Sequence, residues 1–175
     1  MKIGFIGLGN MGAPMAKNLC RAGYKITGFD LDSTQSEKMR EAISVVSSVK
    51  EAAANQDVVI TMLPHGPALL NVVADIVPEM SPKSYFIDCS TVDINAAKKV
   101  ALMMEASGVH GLDAPVSGGV SGALAGTLTF MVGGSAITLE QVRPLFDIMG
   151  GRVIHCGEAG AGQAAKTCNN MILGA

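Results

Sequence analysis

The chain has 175 residues, 49% of them hydrophobic and 16% charged, with a formal net charge of −2. A chain of that length buries roughly 70% of its unfolded surface, enough for one compact core, and the low charge suits a sheet covered on both faces. The charge balance excludes the basic footprint of a binder of nucleic acid or of an anionic membrane, and no apolar run approaches the length of a bilayer span.

Lys2 to Ile6 reads as a buried strand, followed by Gly7-Leu8-Gly9-Asn10-Met11-Gly12 and by a helical stripe of Met11, Met15 and Leu19. A G-x-G-x-x-G string between a strand and a helix is where a dinucleotide's pyrophosphate sits. Gly7 serves the tight turn, Gly9 lets backbone approach the phosphates, and Gly12 lets the helix pack close on the strand. A helix starting at Asn10 then aims unpaired N–H groups at the anion. Tyr24 to Phe29 forms a second strand ending at Asp30, whose carboxylate is placed to accept hydrogen bonds from the adenosine ribose. Leu31-Asp32-Ser33-Thr34 brings no Arg for a 2′-phosphate, so the cofactor is read as NAD. The alternative is that Asp30 merely begins a turn and Ser33 caps the next helix.

Strands and helices keep alternating. Ser44 to Val46 is a weak strand, and Ser48-x-x-Glu51 has the form of a capping box opening a short helix. Asp57 to Leu63 is a strong strand, followed by a helix within Pro67 to Ile76, a strand at Ser84 to Asp88, and a longer helix after Asp93 that buries Ala97, Val100, Ala101 and Met104. Val109 to Asp113 and Thr127 to Val132 are further strands, the latter a candidate for antiparallel pairing. A helix within Ser135 to Met149 contains Pro144, an expected irregularity, and Arg152 to Cys156 closes the sheet. The pattern defines an α/β, Rossmann-like, doubly wound and mostly parallel sheet, with a domain spanning 1–157 and a helix beginning in 158–175.

Cys20, Cys89, Cys156 and Cys168 lie far apart with no C-x-x-C pair, which points to no metal site and to a reducing compartment, cytoplasm or mitochondrial matrix. The first strand starts at Lys2, so no targeting leader is expected ahead of it. His65, His110 and His155 share no periodicity and are read as structural; His65 lies in a loop after a strand, on the side where ligands bind open α/β sheets.

Two segments exceed what a scaffold needs. Asp113-Ala114-Pro115-Val116-Ser117-Gly118-Gly119 exposes consecutive N–H groups and a hydroxyl, a small nest for a carboxylate or an equally plain glycine turn. Gly160-Ala161-Gly162-Gln163-Ala164-Ala165-Lys166-Thr167-Cys168-Asn169-Asn170 leads from a turn into a helix that puts Lys166 and Asn170 on one face. A lone Lys on a helix is usually solvated. Lys166, however, sits among Ala164, Ala165, Cys168, Met171, Ile172 and Leu173, and a partly desolvated amine can exchange protons with a substrate oxygen.

These two segments and Phe5 to Asn18, in this order, resemble the three signature segments of the β-hydroxyacid dehydrogenase family over the whole chain. The resemblance implies an NAD-dependent oxidoreductase acting on a small 3-hydroxy carboxylic acid. The wording around Lys166 is most similar to the branch that converts 3-hydroxyisobutyrate to methylmalonate semialdehyde. It further implies Lys166 as catalytic acid/base, Asn170 as its substrate-orienting partner, and Ser117, Gly118 and Gly119 as the grip on the substrate carboxylate. Gly7, Leu8, Gly9, Asn10, Met11, Gly12 and Asp30 would then hold NAD, with Leu63 and Pro64 on the adenosine side and Thr91 nearer the nicotinamide. Family members continue the Lys166 helix into an all-helical domain that completes the site and builds a homo-oligomer. The chain is therefore expected to be truncated, to bind NAD, and to turn over poorly alone. A tartronate or succinic semialdehyde-type reductase, a non-catalytic NAD-binding module and a plain Rossmann scaffold remain the alternatives.

Overall fold

The structure is a computed structural model that describes residues 1–173. In chain order its elements are β1 (Lys2–Ile6), α1 (Gly12–Arg21), β2 (Lys25–Phe29), α2 (Ser33–Glu37), β3 (Ser44–Val45), α3 (Val49–Ala53), β4 (Val58–Thr61), α4 (Gly66–Ile76), β5 (Tyr85–Asp88) and α5 (Ile94–Ala106). They continue with β6 (His110–Asp113), β7 (Val116–Ser117), α6 (Gly119–Ala125), β8 (Leu128–Gly134), α7 (Ala136–Met149), β9 (Gly150–Gly157) and α8 (Ala161–Leu173).

The strands form one sheet in the order β3-β2-β1-β4-β5-β6-β8-β7, with β9 on the other side of β8. From β3 through β6 every pairing is parallel, whereas β8 runs antiparallel to β6 and β7. The chain winds outward from β1 to β2 and β3, then returns to β4 beside β1, so strand order reverses at β1/β4. In open parallel sheets that reversal opens a crevice at the carboxyl ends of the strands.

Strand periodicity divides the core into two layers. Ile3, Phe5, Val58, Ile60 and Ile87 face one cluster with Met15 and Leu19 of α1 and Val142 and Phe146 of α7. Ile6, Val59 and Phe86 face the other, with Leu69 and Val73 of α4 and Val100 and Met104 of α5. Successive strand residues point to opposite faces, which is why these strands read as continuous apolar runs. Each fully buried Leu, Ile or Phe contributes roughly 1.5–3 kcal/mol of transfer free energy.

Several local expectations change in the folded chain. Helix α1 begins at Gly12 rather than Asn10, although Ala13 N–H already donates to Gly9 O at 3.0 Å. Asp32, not Ser33, caps α2, since its carboxylate accepts from Thr34 N–H at 2.9 Å. In α5 Ala101 is only half-buried and Ala96 is buried on the core face. Ser48 caps α3 as the capping box requires, but Glu51 reaches past it to the N–H and hydroxyl of Ser47. Pro144 sits inside α7 without ending it. The short β7 and α6 were not legible as elements, because two and seven residues are too few to display a period.

Candidate active site

The glycine loop follows β1 at the carboxyl edge, beside the β1/β4 crevice. Gly7 has φ +97°, a left-handed conformation open to glycine, and a methyl there would strike Met62 O. A methyl at Gly12 would collide with Gly7 O and crowd Phe5 Cε1 at 3.1 Å, so α1 lies as close to β1 as backbone allows. Gly9 differs: a methyl there meets nothing within 4 Å. Its side of the loop is open, and no protein group demands the glycine. The N–H groups of Gly9, Asn10, Met11 and Gly12 have no protein partner among the described residues. An open backbone with four N–H donors free of protein partners leading into a helix start fits a pyrophosphate.

Asp30 closes β2 one strand away. Its Oδ2 accepts from Leu8 N–H at 2.6 Å and its Oδ1 from Asp32 N–H at 2.8 Å. The carboxylate therefore ties the glycine loop to β2 and also begins a turn, and each oxygen keeps a lone pair for another donor. Leu63 and the exposed Pro64 follow β4, and the exposed Thr91 follows β5. Leu63 N–H donates to the buried Ser90 hydroxyl at 2.8 Å.

Ser117 ends β7, half-buried, and the exposed Gly118 (φ +127°) turns the chain into α6. Gly118 and Gly119 N–H have no protein partner among the described residues. Lys166 lies on the inner face of α8 with Gly162 and Gln163 and is 8% exposed. It makes no hydrogen bond or ion pair among the described residues. Burial holds its pKa below the ordinary lysine value. The source of that burial corrects the sequence argument: Cys168, Met171, Ile172 and Leu173 are exposed, and it is the packing of α8 on β8, β9, β6 and α5 that buries the residue. Asn170, one turn further on, is exposed.

The three histidines have structural partners. His65 Nδ1 accepts from Ala68 N–H at 3.1 Å and caps α4, His110 stacks on Tyr85 at 5.5 Å, and His155 Nε2 meets Gly134 O at 2.8 Å. A depression of about 480 Å3 lies at the opposite edge, lined by Lys2, Lys25 and Ile43 among others, away from all of these groups. No cluster of metal-ligating side chains occurs among the described residues.

Four buried polar residues carry roles that the sequence left unassigned: Asp88, Ser90, Asp113 and Gln163. The available signal was a carboxylate ending an apolar strand, Tyr85-Phe86-Ile87-Asp88 and Leu112-Asp113. Burial pushes Asp88 up to about 6 against the Ser90 and Thr61 hydrogen bonds, with a further push from Asp113; its Oδ2 has no partner. The folded chain thus binds this proton more tightly than the unfolded one. Its contribution to stability is greatest below pH 3.8 and is lost as pH rises to about 6. Asp88→Asn should therefore flatten this part of the pH dependence and raise stability at pH 8 by on the order of 1–3 kcal/mol. Urea denaturation from pH 4 to 8 checks it; an unchanged slope would assign the titration to another group.

A doubly wound sheet with an open glycine turn, a carboxylate ending the second strand and a helix start free to receive an anion defines a Rossmann-type dinucleotide-binding domain. Residues 2–157 match the NAD binding domain of 6-phosphogluconate dehydrogenase, and the chain belongs to the β-hydroxyacid dehydrogenase family through this NAD-binding domain. It is 51% identical over 172 residues to a probable 3-hydroxyisobutyrate dehydrogenase of Mycobacterium tuberculosis, covering 98% of this chain and 58% of the relative. It is 46% identical to an NAD-dependent L-serine dehydrogenase of Pseudomonas aeruginosa, covering 98% of this chain and 59% of that protein. A solved Mycobacterium tuberculosis 3-hydroxyisobutyrate dehydrogenase with L-serine superposes with a TM-score of 0.97 at 50% identity, over 98% of this chain and 60% of that one. The chain thus spans about 58–60% of the length of these relatives. No described helix is long and apolar enough to cross a membrane.

Proposed function

We propose that this chain is the cofactor-binding portion of an NAD-dependent 3-hydroxyacid dehydrogenase, with 3-hydroxyisobutyrate oxidised to methylmalonate semialdehyde. The observation that carries the reading is Lys166: a lysine 8% exposed as a residue, its amine without a protein partner among the described residues, on a helix whose first turn is held by Asp113 at the end of β6. A lysine packed along its length and left without a counter-ion is unlike a solvated surface charge, and partial desolvation favours its neutral, proton-accepting form.

In this reading the N–H groups of Gly9 to Gly12 hold the pyrophosphate, and the free lone pairs of Asp30 accept the ribose hydroxyls. Leu63 and Pro64 lie over the adenosine side, and Thr91 nearer the nicotinamide. NAD, when bound, supplies the acceptor for the hydride of the substrate carbinol. Ser117 with the Gly118 and Gly119 N–H groups holds the substrate carboxylate, Asn170 orients the hydroxyl, and Lys166 Nζ accepts the hydroxyl proton. The four free cysteines fit a reducing compartment, cytoplasm or mitochondrial matrix. A homo-oligomer built by a further helical domain belongs to the same reading.

L-serine, also a 3-hydroxy acid, is the second reading, favoured by the relative named for it. The test is NADH formation, by a form of the protein that carries the further helical domain, with 3-hydroxyisobutyrate and L-serine side by side: higher kcat/KM with serine would replace the substrate, and none with any 3-hydroxy acid would reduce the chain to an NAD-binding module. Asp30→Ala tests the cofactor half. Loss of charged hydrogen bonds should weaken NAD by roughly 1–3 kcal/mol and lessen the discrimination against NADP. Calorimetric titration with both cofactors checks it, and unchanged values would leave Asp30 only its turn and its bond to Leu8.

A further inference from the structure

Asp113 ends β6 and is 6% exposed. Its Oδ1 accepts from Gly160 N–H at 2.7 Å and its Oδ2 from Gln163 N–H at 3.0 Å. These are the donors of the residue before α8 and of its third residue, the same two that a capping box satisfies from within a helix's own sequence. Here the acceptor arrives from a strand about fifty residues earlier, and its charge faces the positive end of α8.

Gln163, fully buried, reaches the other way. Its Oε1 accepts from Val92 N–H at 3.1 Å and its Nε2 donates to Ser90 O at 2.8 Å. The Ser90 hydroxyl in turn accepts from Leu63 N–H at 2.8 Å, and Ser90 N–H donates to Asp88 at 3.1 Å. One buried polar chain thus joins the loop after β4, the loop containing Thr91, the end of β6 and the first turn of α8. Packing leaves it no slack: a methyl at Gly133 would strike Asp113 Oδ1 and come within 2.8 Å of Gly162 N and 2.9 Å of Ala161 N.

Lys166 lies one turn beyond Gln163 on the same helix face. We propose that Asp113 and Gln163 are positioning residues, which hold the first turn of α8 against the Leu63 and Thr91 loops and thereby set the place of the Lys166 amine. The inference rests on the reading of Lys166 as the proton acceptor, but its test needs no substrate.

The experiment compares Asp113→Asn and Gln163→Met with the unaltered chain by amide hydrogen exchange, by NMR titration of the Lys166 ε-amine, and by NAD titration. Asparagine at 113 turns an NH2 toward one of the two N–H donors, and methionine at 163 leaves Val92 N–H and Ser90 O without partners. In both variants exchange over 160–166 should quicken by about tenfold or more. The Lys166 pKa should rise toward the ordinary value of about 10.4, while NAD affinity changes by less than about threefold. The direction is diagnostic in Asp113→Asn, because removing a negative charge without moving the helix can only lower a lysine pKa or leave it fixed. A lysine pKa that falls or stays fixed in both variants overturns the proposal. Loss of protection throughout the sheet in both overturns it too, assigning the pair to global stability. Failure of Lys166→Ala to slow turnover would be a separate result, against the proton-acceptor reading alone.

Discussion

Lys166→Ala is expected to lower NAD-linked oxidation by roughly 10²-fold or more while leaving NAD affinity within about twofold, measured in a form of the protein that turns over. The amine lacks a partner among the described residues, so its removal takes away a proton acceptor and no hydrogen bond. Lys166→Arg should recover little, because a guanidinium keeps the charge but cannot release a proton near neutral pH. The pH profile supplies an independent sign: if the neutral amine is the acceptor, kcat rises with pH through the Lys166 pKa, which burial holds below that of an ordinary lysine. That limb should vanish in Lys166→Ala. Near-normal rates in Lys166→Arg would make the residue an electrostatic anchor. His65 would then be examined as the proton carrier, although its Nδ1 is committed to the Ala68 N–H.

The second large effect separates two glycines three residues apart. Gly9→Ala should leave stability within about 0.5 kcal/mol, since the added methyl meets nothing within 4 Å, yet weaken NAD by about tenfold or more by filling the place of the pyrophosphate. Gly12→Ala should instead destabilise the fold by roughly 1–3 kcal/mol, because its methyl is driven into Gly7 O, and weaken NAD by displacing the start of α1. Thermal melting and NAD titration on the pair decide the matter. If Gly9→Ala kept full affinity, the pyrophosphate would not pass over Gly9, and the anion site would have to lie elsewhere along the helix start.

The two variants also mark the boundary between what is local and what is not. The place of Gly7, Gly9 and Gly12 in a turn between strand and helix could be read from spacing because elements adjacent in the chain leave little choice of geometry. The alternation of Val58 to Thr61, Tyr85 to Asp88 and His110 to Asp113 with amphipathic helices determined a parallel, two-layered core for the same reason: periods of 2 and 3.6 are properties of near neighbours. Lys166 stands out in the sequence, but its burial does not come from the apolar neighbours Cys168, Met171, Ile172 and Leu173, which are exposed.

Only the tertiary structure decided what surrounds it. The parallel register that pairs Asp88 with Asp113, and the capture of Gly160 and Gln163 by Asp113, join segments 25 to 50 residues apart. No pattern in the intervening residues encodes such a contact, because it forms only when the whole sheet is assembled. The sequence by itself therefore determined the kind of fold, the cofactor loop and the suspect lysine. Assembly of the sheet determined which carboxylate is buried, which helix it anchors, and why one lysine packs along its length: burial and long-range hydrogen bonding belong to the packed molecule, not to any stretch of its chain.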